Sequence, residues 1–327
     1  MAKATPNANF YSLGGRSVHE GKDAEYREYR RSWLENPANF MVRDFPLHLD
    51  VEITSRCNLR CTFCDKLPLL AADQQGDMSL ALYKKILDEG GEGRLWGLKL
   101  SYRGEPLLHP QVADMVAYAK AKGVLDVYFN TNGMLLSESL ALRLMDAGLD
   151  RISVSVEGTD PVAFERERRG AKFDRILRNL DRLVSLRTQK GLAHPQVRVQ
   201  TVKFPDLDLE DYRHFWLQHA DEVAAVDYKD STNRVKGLEC RDWACPQLWQ
   251  RMTIEWTGDI MPCNNDDYRR LCVGNVKERS IAACWRDPVV QRARELHQRG
   301  ESHRVEACNG CPWRTAQLRK LAPERDS

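Results

Sequence analysis

The stretch LHLDVEITSRCNLRCTFCDK, residues 47–66, decides the fold and contains the first candidate site. Residues 47–54 are short, apolar and rich in β-branched side chains, which predicts a β-strand. Directly after it, Cys57, Cys61 and Cys64 have the spacing C-x3-C-x2-C. Three thiolates within eight residues can hold three corners of a [4Fe–4S] cluster and leave its fourth iron open to another ligand. A structural zinc site or a redox thiol group is the alternative.

Short apolar stretches recur after this segment and alternate with amphipathic ones. Further strands are predicted at 95–102, 125–130, 151–156, 196–204 and 222–228. Helices are predicted at 79–89, 110–122, 137–147, 173–187 and 209–218. Ser79 and Ser137 are the expected N-caps of two of these helices. Strands that alternate with helices indicate βαβ units and a parallel sheet. Because eight units close a full barrel, the six strands predict an α/β fold with a partial, open (β/α)6 barrel.

The composition limits the class of protein. The chain has 327 residues, of which 42% are hydrophobic and 29% charged, so it can bury a sizeable core. Lys plus Arg (49) nearly balance Asp plus Glu (47), which argues against nucleic acid as a partner. No apolar run approaches the roughly 18 residues of a membrane span, and the N-terminus lacks the apolar stretch of a secretory signal. Because no such run is present, we expect no membrane partner. Ten cysteines in a chain without a secretory signal indicate a cytoplasmic location and metal or redox chemistry.

Three parts are predicted along the chain. They are an N-terminal arm at 1–46, the partial barrel at 47–232 and a small cysteine-rich domain at 233–327. In the last part, residues 251–265 predict a β-hairpin and residues 280–298 predict a helix. Because this part is too small for a second large core, we expect a bound metal to order it.

The segment CNLRCTFC at 57–64, which follows a first strand and leads into a partial α/β barrel, resembles the cluster motif of the radical S-adenosylmethionine (SAM) enzymes. The resemblance covers roughly residues 46–230. It implies that Cys57, Cys61 and Cys64 hold a [4Fe–4S] cluster whose open iron binds the amino and carboxylate groups of SAM. An electron from that cluster splits SAM into methionine and a 5′-deoxyadenosyl radical, which takes a hydrogen atom from the substrate.

Other positions agree with the resemblance one at a time. Phe63 occupies the aromatic position whose backbone lies near the adenine of SAM in the family. The sequence Arg103-Gly104-Glu105-Pro106 resembles the Gly-Gly-Glu-Pro motif that binds the SAM amino group, with Arg103 in place of the first glycine. Glycine lets the backbone come close and a carboxylate accepts from an ammonium group, so Gly104, Glu105 and Pro106 are assigned to SAM. An ordinary turn at the end of a strand is the alternative.

Two further assignments to SAM follow the fourth predicted strand. Ser155 and Glu157 match the positions that lie near the SAM ribose or carboxylate in the family, and their spacing puts both on one face, toward the barrel interior. A half-buried strand with a polar outer face is the alternative. Arg168 or Arg169 matches the arginine that pairs with the SAM carboxylate, and a solvated run of charges is the alternative. No residue of the fifth strand is assigned, because the adenine-binding signature is not recognisable there.

The hairpin EWTGDIMPC at 255–263, followed by ACNGC at 307–311, resembles the twitch appendage, a shortened form of the SPASM domain. The resemblance implies one auxiliary [4Fe–4S] cluster held by four cysteines. These are Cys245, Cys263, Cys308 and Cys311. Four protein thiolates close the coordination, so such a cluster exchanges electrons rather than binding SAM. A four-cysteine zinc site is the alternative.

The other cysteines and the end of the sixth predicted strand give weaker candidates. We interpret Cys240, Cys272 and Cys284 as small buried residues. Cys272 is also the nearest competitor as an auxiliary ligand, and any of the three could donate a hydrogen atom to a substrate radical. Tyr228, Lys229 and Asp230 end the sixth strand, where barrel enzymes carry substrate groups. By analogy they are candidates, with Cys272, for substrate contact or proton removal.

The family resemblance implies an enzyme. The appendage is similar to that of aminocyclitol dehydrogenases, so we expect an oxidoreductase that abstracts hydrogen from a carbon bearing a hydroxyl in a sugar-like or cyclitol-like small molecule. Under this hypothesis the auxiliary cluster accepts one electron. A reductant such as flavodoxin or ferredoxin supplies the other electron, which cleaves SAM. Redox-neutral epimerisation or dehydration of the same substrate class is the first alternative. Modification of a peptide or protein is the second, although the arm at 1–46 is too short for the peptide-binding module that many maturases carry.

Overall fold

The structure is a computed structural model that describes residues 4, 10–66, 75–91, 95–229, 234–239 and 241–321. Its strands are β1 (Phe10–Gly15), β2 (His48–Val51), β3 (Arg60–Cys61), β4 (Gly97–Lys99), β5 (Asp126–Thr131), β6 (Arg151–Ser155), β7 (Arg168–Arg169), β8 (Gln196–Lys203), β9 (Glu222–Asp227), β10 (Arg251–Ile254), β11 (Asp259–Met261) and β12 (Gly274–Asn275). Its helices are α1 (Ala24–Ala38), α2 (Leu80–Gly90), α3 (Val112–Ala121), α4 (Glu138–Asp146), α5 (Pro161–Glu167), α6 (Phe173–Gln189), α7 (Leu209–Trp216), α8 (Ile281–Trp285), α9 (Pro288–Gln298) and α10 (Pro312–Leu321). Short 3-10 turns cover Pro106–Leu108, Pro246–Trp249 and Ser302–Arg304. Across these described ranges, every helix is too short or too polar to span a lipid bilayer.

The predicted partial barrel is confirmed by a run of parallel strands. Their order is β2-β4-β5-β6-β8-β9, and each strand is hydrogen-bonded to the next in parallel. These are the six strands that the sequence predicted. None is longer than its predicted stretch, and none extends beyond that stretch by more than one residue. Helices connect each strand to the next, so they cover the outer face of the sheet, as right-handed βαβ units require.

Helix ends follow the capping signals in the sequence, with one correction. The side chains of Ser79 and Ser137 cap α2 and α4 by accepting from backbone N–H groups three residues on, as predicted. The single helix predicted at 280–298 is wrong, because two helices, α8 and α9, occupy this stretch. Pro288 has no N–H with which to continue α8, and Asp287 caps α9 by accepting from Val289 N.

The barrel strands have an apolar face toward the helices and a polar face toward the barrel interior. Phe129, Val154 and Val199 are fully buried in the hydrophobic core under the helices, and their neighbours along each strand point the other way. In the interior, Arg151 donates to both carboxylate oxygens of Asp126, at 2.8 and 2.7 Å. A parallel sheet with two covered faces usually has a continuous apolar sequence. This alternation therefore indicates that the interior, which we call the lumen, is a polar space rather than a second core.

Strands from outside the barrel extend its sheet at both edges. β1, which the sequence did not predict, pairs antiparallel with β9, and β10 pairs parallel with β2. β10 and β11 form the hairpin that the sequence did predict, and β12 pairs with β11. An ion pair reinforces the junction, since Arg251 on β10 donates to Asp50 on β2 at 2.9 Å. The limits of the three predicted parts stay predictions, but backbone hydrogen bonds join the cysteine-rich segment to the barrel.

Candidate active site

The first cysteine group lies in the loop that follows β2. Cys57, Cys61 and Cys64 are free thiols, and each is partly exposed. The two-residue ribbon of β3 and β7 holds the loop in place by pairing Cys61 with Arg168. Burial raises the pKa of Cys61 to about 11, and the positive charge of Arg168 opposes the rise. Thiols in this setting bind as thiolates only when a metal compensates their charge, so a cluster fits this donor set.

Arg168 brings predicted SAM-binding positions together beside this loop. Its Nη2 donates to Glu157 Oε1 at 2.8 Å and its Nε donates to the other carboxylate oxygen, which makes a buried bidentate pair. Its Nη1 lies 3.9 Å from Cys61 Sγ, and the guanidinium carbon lies 5.4 Å from the centre of the Phe63 ring. Arg169 is exposed. The structure therefore separates the two predicted arginines, because Arg168 faces the cysteine loop and Arg169 faces solvent.

Gly104 lies where only glycine fits. A Cβ at this position would be 2.4 Å from Thr54 O and 2.6 Å from Arg56 O. Glu105 N also donates to Arg56 O, at 2.8 Å. Backbone atoms therefore approach Gly104 closely, as expected. They belong to the segment that leads into the first cysteine group.

The Glu105 carboxylate is buried and already has donors from the protein. It accepts from Thr131 Oγ1 at 2.6 Å, from Asn132 N at 2.7 Å and from Leu107 N at 3.0 Å. Burial raises the pKa of Glu105, and these hydrogen bonds oppose the rise. Since a carboxylate has about four acceptor positions, one more donor can be accommodated. Pro106 begins the 3-10 turn that follows, which fixes the direction of this side chain.

Arg103, which stands where the family motif has its first glycine, is the centre of a buried ion network. Its Nε lies 2.7 Å from Glu52 Oε1, and its Nη2 lies 2.8 Å from Glu52 Oε2 and 3.1 Å from Glu255 Oε2. Glu255 also pairs with Arg269 at 2.7 Å. Burial raises the pKa of Glu52, and Arg103 opposes the rise. Because Glu52 follows β2 and Glu255 follows β10, Arg103 connects the barrel to the hairpin.

The second cysteine group converges from separate places in the C-terminal segment. Cys245 precedes the turn Pro246–Trp249, Cys263 follows β11, and Cys308 and Cys311 lie in the loop before α10. Burial raises the pKa of Cys245 to about 12, and Cys311 adds to the effect. The pKa values of Cys263 and Cys308 also rise, first from burial and then from the other thiols of the group. The thiols of Cys245, Cys263, Cys308 and Cys311 therefore influence one another electrostatically.

A histidine that the sequence did not single out lies inside this second group. His297, near the end of α9, is completely buried. Its Nδ1 accepts from Cys245 N at 3.1 Å, and its Nε2 lies 3.3 Å from Cys308 Sγ. Burial lowers the pKa of His297 to about 3, and Arg314 contributes to the lowering. Its separation from the cysteines along the chain matches no short metal-binding motif, so no sequence pattern singled out this histidine.

Among the residues that the structure describes, no three His, Cys, Asp or Glu side chains are close enough to hold a single metal ion. A [4Fe–4S] cluster presents each thiolate with a separate iron and so accepts thiols that are further apart.

Of the other cysteines, the structure describes Cys272 and Cys284. Cys284 is fully buried, with its Sγ 3.5 Å from Val273 O, which confirms its interpretation as a small buried residue. The same interpretation is wrong for Cys272, because the turn before β12 leaves it exposed, with its Sγ 3.6 Å from Gly274 O. Asp230 and Cys240 lie outside the described residues.

Charged side chains link the two cysteine groups at the end of β9. Lys229 Nζ lies 2.8 Å from Asp65 Oδ2 and 3.3 Å from Asp267 Oδ2. Lys66 also pairs with Asp267. Asp65 follows the first cysteine group and Asp267 follows β11 and its cysteine. This Asp65–Lys229–Asp267 network therefore connects the residue that follows Cys64 to a residue that follows Cys263.

Tyr228, a candidate from the sequence, lines a cavity of about 220 Å³ beside the end of β9. Lys229, Phe10 and Trp313 also line it. The cavity lies between the barrel edge and α10, the helix that follows the last cysteine of the second group. Tyr228 is thus placed where a small molecule can contact it.

The lumen contains polar side chains on the interior faces of four barrel strands. Lys99, Asn130, Ser155 and Gln200 alternate with the fully buried apolar residues, and each is half-buried. Within the described ranges, the side chain of Lys99 makes no hydrogen bond or ion pair. Burial lowers the pKa of Lys99, and Asp50 opposes the change. A single lysine in a strand belongs to no motif, so the sequence did not indicate this residue.

The partial barrel, the three-cysteine loop after its first strand and the cysteine-rich C-terminal segment together are typical of an iron–sulfur protein. The model of the radical SAM superfamily matches residues 51–214, half of the chain. A second model, for the SPASM iron–sulfur cluster-binding domain, matches residues 245–312. The chain belongs to the radical SAM superfamily, and it has a C-terminal SPASM domain.

The individual proteins to which the chain is similar have different activities, so they do not specify its reaction beyond the family. The chain is 31% identical over 160 residues to a probable GTP 3′,8-cyclase of Methanococcus maripaludis, a match that covers 47% of this chain and 49% of that protein. It thus spans about half the length of such curated relatives. A PqqA peptide cyclase of Xanthomonas oryzae pv. oryzae is 23% identical over 309 residues, which cover 82% of this chain and 81% of that protein. The solved structure of BtrN in complex with AdoMet and 2-DOIA has a TM-score of 0.53 at 19% identity, over 83% of this chain and 93% of that one. At this identity the likeness is one of fold.

Family membership establishes the cofactors as a class. The chain uses a SAM-binding [4Fe–4S] cluster and SAM, and its SPASM domain binds an auxiliary iron–sulfur cluster. The resemblance that the sequence motifs indicated is therefore confirmed. The assignment of individual ligands stays a prediction.

Proposed function

We propose that this chain is a radical SAM oxidoreductase that acts on a small hydroxylated metabolite, sugar-like or cyclitol-like. SAM and the first cluster, when bound and reduced by a flavodoxin or ferredoxin, supply a 5′-deoxyadenosyl radical that removes a hydrogen atom from a carbon bearing a hydroxyl group. A base of this chain would then take the hydroxyl proton, and the auxiliary cluster, when bound, would supply the acceptor for one electron. The products are a ketone, 5′-deoxyadenosine and methionine, so atoms and electrons balance.

The observation that carries this proposal is the Asp65–Lys229–Asp267 network. Lys229 lies at the carboxyl end of a barrel strand, which is where barrel enzymes bind their substrates. It contacts Asp65 beside the first cysteine group and Asp267 beside the second. A substrate at this end of the barrel is close to the group that generates the radical and also to an electron acceptor. An oxidation needs both, whereas a redox-neutral rearrangement needs only the first.

Residues of this chain are assigned to the two cofactor sites on the geometry described above. We assign the first cluster to Cys57, Cys61 and Cys64. We assign SAM to Phe63, Gly104, Glu105, Pro106, Ser155, Glu157 and Arg168. We assign the auxiliary cluster to Cys245, Cys263, Cys308 and Cys311. The contacts of Arg168 with Glu157 and Cys61 support the SAM assignments, and the electrostatic effect of Cys245, Cys263 and Cys311 on Cys308 supports the last.

Lys99 is the group to which we assign the proton of the substrate hydroxyl. It faces the polar lumen, and burial lowers its pKa, which favours the neutral amine that can accept a proton. Asn130, Ser155 and Gln200 offer hydrogen-bonding groups to the other hydroxyls of such a substrate. Tyr228 contacts the neighbouring cavity and is the second candidate for substrate contact.

Metal analysis after anaerobic reconstitution tests the cofactor assignments. The wild-type chain should bind about eight irons, and the variant with Cys57, Cys61 and Cys64 changed to alanine should keep about four. Exchange of Cys272 for alanine is the matched control and should leave the iron content unchanged. A wild-type content of about four irons would remove the electron acceptor and overturn the oxidative mechanism.

Product analysis tests the reaction itself. The reconstituted enzyme is incubated with SAM, a reductant and a panel of polyols, sugars and aminocyclitols. One 5′-deoxyadenosine should form for each ketone. A product that is an isomer or a dehydrated form of the substrate, at the same oxidation level, would favour epimerisation or dehydration instead.

Peptide modification is the second candidate, because the match to a PqqA peptide cyclase covers about four fifths of both chains. Peptides carried in the same panel test it directly. Formation of 5′-deoxyadenosine that depends on a peptide, with no response to any polyol, would replace the metabolite proposal by this one.

A further inference from the structure

His297 lies between two of the cysteines that we assign to the auxiliary cluster. Its side chain is fully buried, at 0% exposure. On one side Nδ1 is 3.1 Å from the backbone N of Cys245, and on the other Nε2 is 3.3 Å from Cys308 Sγ. Both distances are within the range of hydrogen bonds, the longer one being normal for sulfur.

The backbone contact determines which nitrogen of the ring has the proton. The Cys245 N–H can only donate, so Nδ1 must present its lone pair. A neutral imidazole has a single N–H, which is therefore on Nε2. That N–H is directed at Cys308 Sγ, because the sulfur is the observed neighbour of Nε2. The geometry thus gives a donor and an acceptor with no freedom to exchange roles.

Charges of both signs act on the same site, and the negative ones are Asp266, which acts on Cys263, and Asp267, which acts on Cys311. Arg314 is 2% exposed, its Nε donates to Ser302 Oγ at 2.7 Å, and its charge acts on both His297 and Cys308. The charge of Lys229 acts on Cys311. Positive charge and hydrogen-bond donors near the sulfurs stabilise the more negative, reduced form of an iron–sulfur cluster.

We propose that His297 donates an Nε2–H···Sγ hydrogen bond to the Cys308 thiolate and thereby raises the reduction potential of the auxiliary cluster. His297 is a positioning residue in this assignment, because it acts through Cys308 and touches no substrate. The inference rests on the proposed auxiliary ligands and adds a reason why this cluster accepts an electron. The effect on the reduction potential requires no transfer of protons or atoms. It requires only that the hydrogen bond from His297 to Cys308 is stronger in the reduced state of the cluster.

The test measures the potential and the contact rather than turnover. EPR-monitored redox titration is done on the reconstituted holoenzyme, and the auxiliary cluster is identified as the reduced signal that SAM does not change. His297→Leu should make reduction at least about tenfold less favourable, which is about 59 mV for a one-electron couple. His297→Gln, whose amide N–H can take the place of Nε2–H, should recover most of this loss. His214→Gln, on an exposed helix surface, is the control and should have the wild-type potential.

A second readout uses the wild-type protein and so does not depend on how any variant folds. Chains grown with 15N-histidine should show a 15N coupling to the reduced auxiliary cluster in pulsed EPR, and an exchangeable proton coupling that disappears in D2O. Absence of both couplings would overturn the inference, as would a His297→Leu protein with full iron and an unchanged potential. Failure to oxidise any metabolite would refute the proposed function but leave these measurements intact. Absence of the auxiliary signal from wild-type protein would instead overturn the ligand assignment itself.

Discussion

Removal of the Arg103 side chain should strongly destabilise the folded chain. The guanidinium and the Glu52 carboxylate are 2% and 0% exposed, and Arg103 also reaches Glu255. Arg103→Met would leave two buried carboxylates without this partner, and breaking a buried ion pair costs about 3–5 kcal/mol. Protonation of Glu52, whose pKa burial already raises, limits the loss, so we expect about 3 kcal/mol at neutral pH.

The assay is urea unfolding of the apo chain under reducing conditions, followed by tryptophan fluorescence and circular dichroism. Glu52→Gln added to Arg103→Met should restore part of the stability, because an amide has no charge to leave unpaired. Arg292→Met is the control, since it breaks an exposed pair with Glu295 at 3.0 Å and should cost less than about 1 kcal/mol.

The pH dependence supplies an independent check on the sign. A carboxyl whose pKa is raised in the folded state contributes its stability at low pH and loses it as pH rises through that pKa. Without Arg103 the pKa of Glu52 rises further, because its opposing charge is gone. The deficit of Arg103→Met should therefore shrink as the pH is lowered from about 8 to about 5. A deficit below about 1 kcal/mol, or one that grows on acidification, would refute the reasoning.

The other predictions concern the cofactor and substrate sites. Gly104→Ala brings a Cβ within 2.4 Å of Thr54 O, so it should displace the first cysteine loop and reduce the iron content to about four per chain; normal iron and sulfide content would contradict this. Arg168→Met should weaken SAM binding at least about tenfold in isothermal titration, because a hydrogen bond to a charged group is worth about 1.5–3 kcal/mol. Arg169→Met, at an exposed position, should not, and equal effects of the two would be evidence against the assignment. Since burial lowers the pKa of Lys99 from 10.5, kcat should rise with pH through that lowered value as the amine loses its proton. Lys99→Met should abolish this rise, and a variant with the wild-type pH profile would exclude Lys99 as the proton acceptor.

The barrel was predictable because its signals are local. The six barrel strands and the helices α2, α3, α4, α6 and α7 are encoded by periodic patterns within their own residues, and Ser79 and Ser137 cap their helices as expected. The short helix α5 was not predicted. Pairing between distant segments is not encoded in this way. β1 joins β9 and β10 joins β2 across more than 200 residues, and no local pattern specifies such a partner. Pro288 is a helix-breaking residue that the sequence contains. Because the helical periodicity continues on both sides of it, one helix was predicted where there are two.

The site was predictable only where it is a motif. The cysteine loop and Gly104-Glu105 have fixed spacing, so the sequence indicated them. Lys99 and His297 are single residues whose surroundings come from strands and helices far away in the chain. Arg168 could be distinguished from Arg169 only by its pairing with Glu157, which depends on how the loop folds back.

The pairing of β10 with β2 has a consequence for any attempt to study the barrel alone. β2 bonds to β4 on one side and to β10 on the other, so a chain shortened before β10 would leave the N–H and C=O groups of that second side unsatisfied. Such a bare strand border is a template for other chains, and aggregation is the usual result. The same holds for chimaeras: a C-terminal segment exchanged from a relative must bring a strand of matching register and length. Truncation and domain exchange in this chain are therefore limited first by strand complementarity, before any question of cofactor arises.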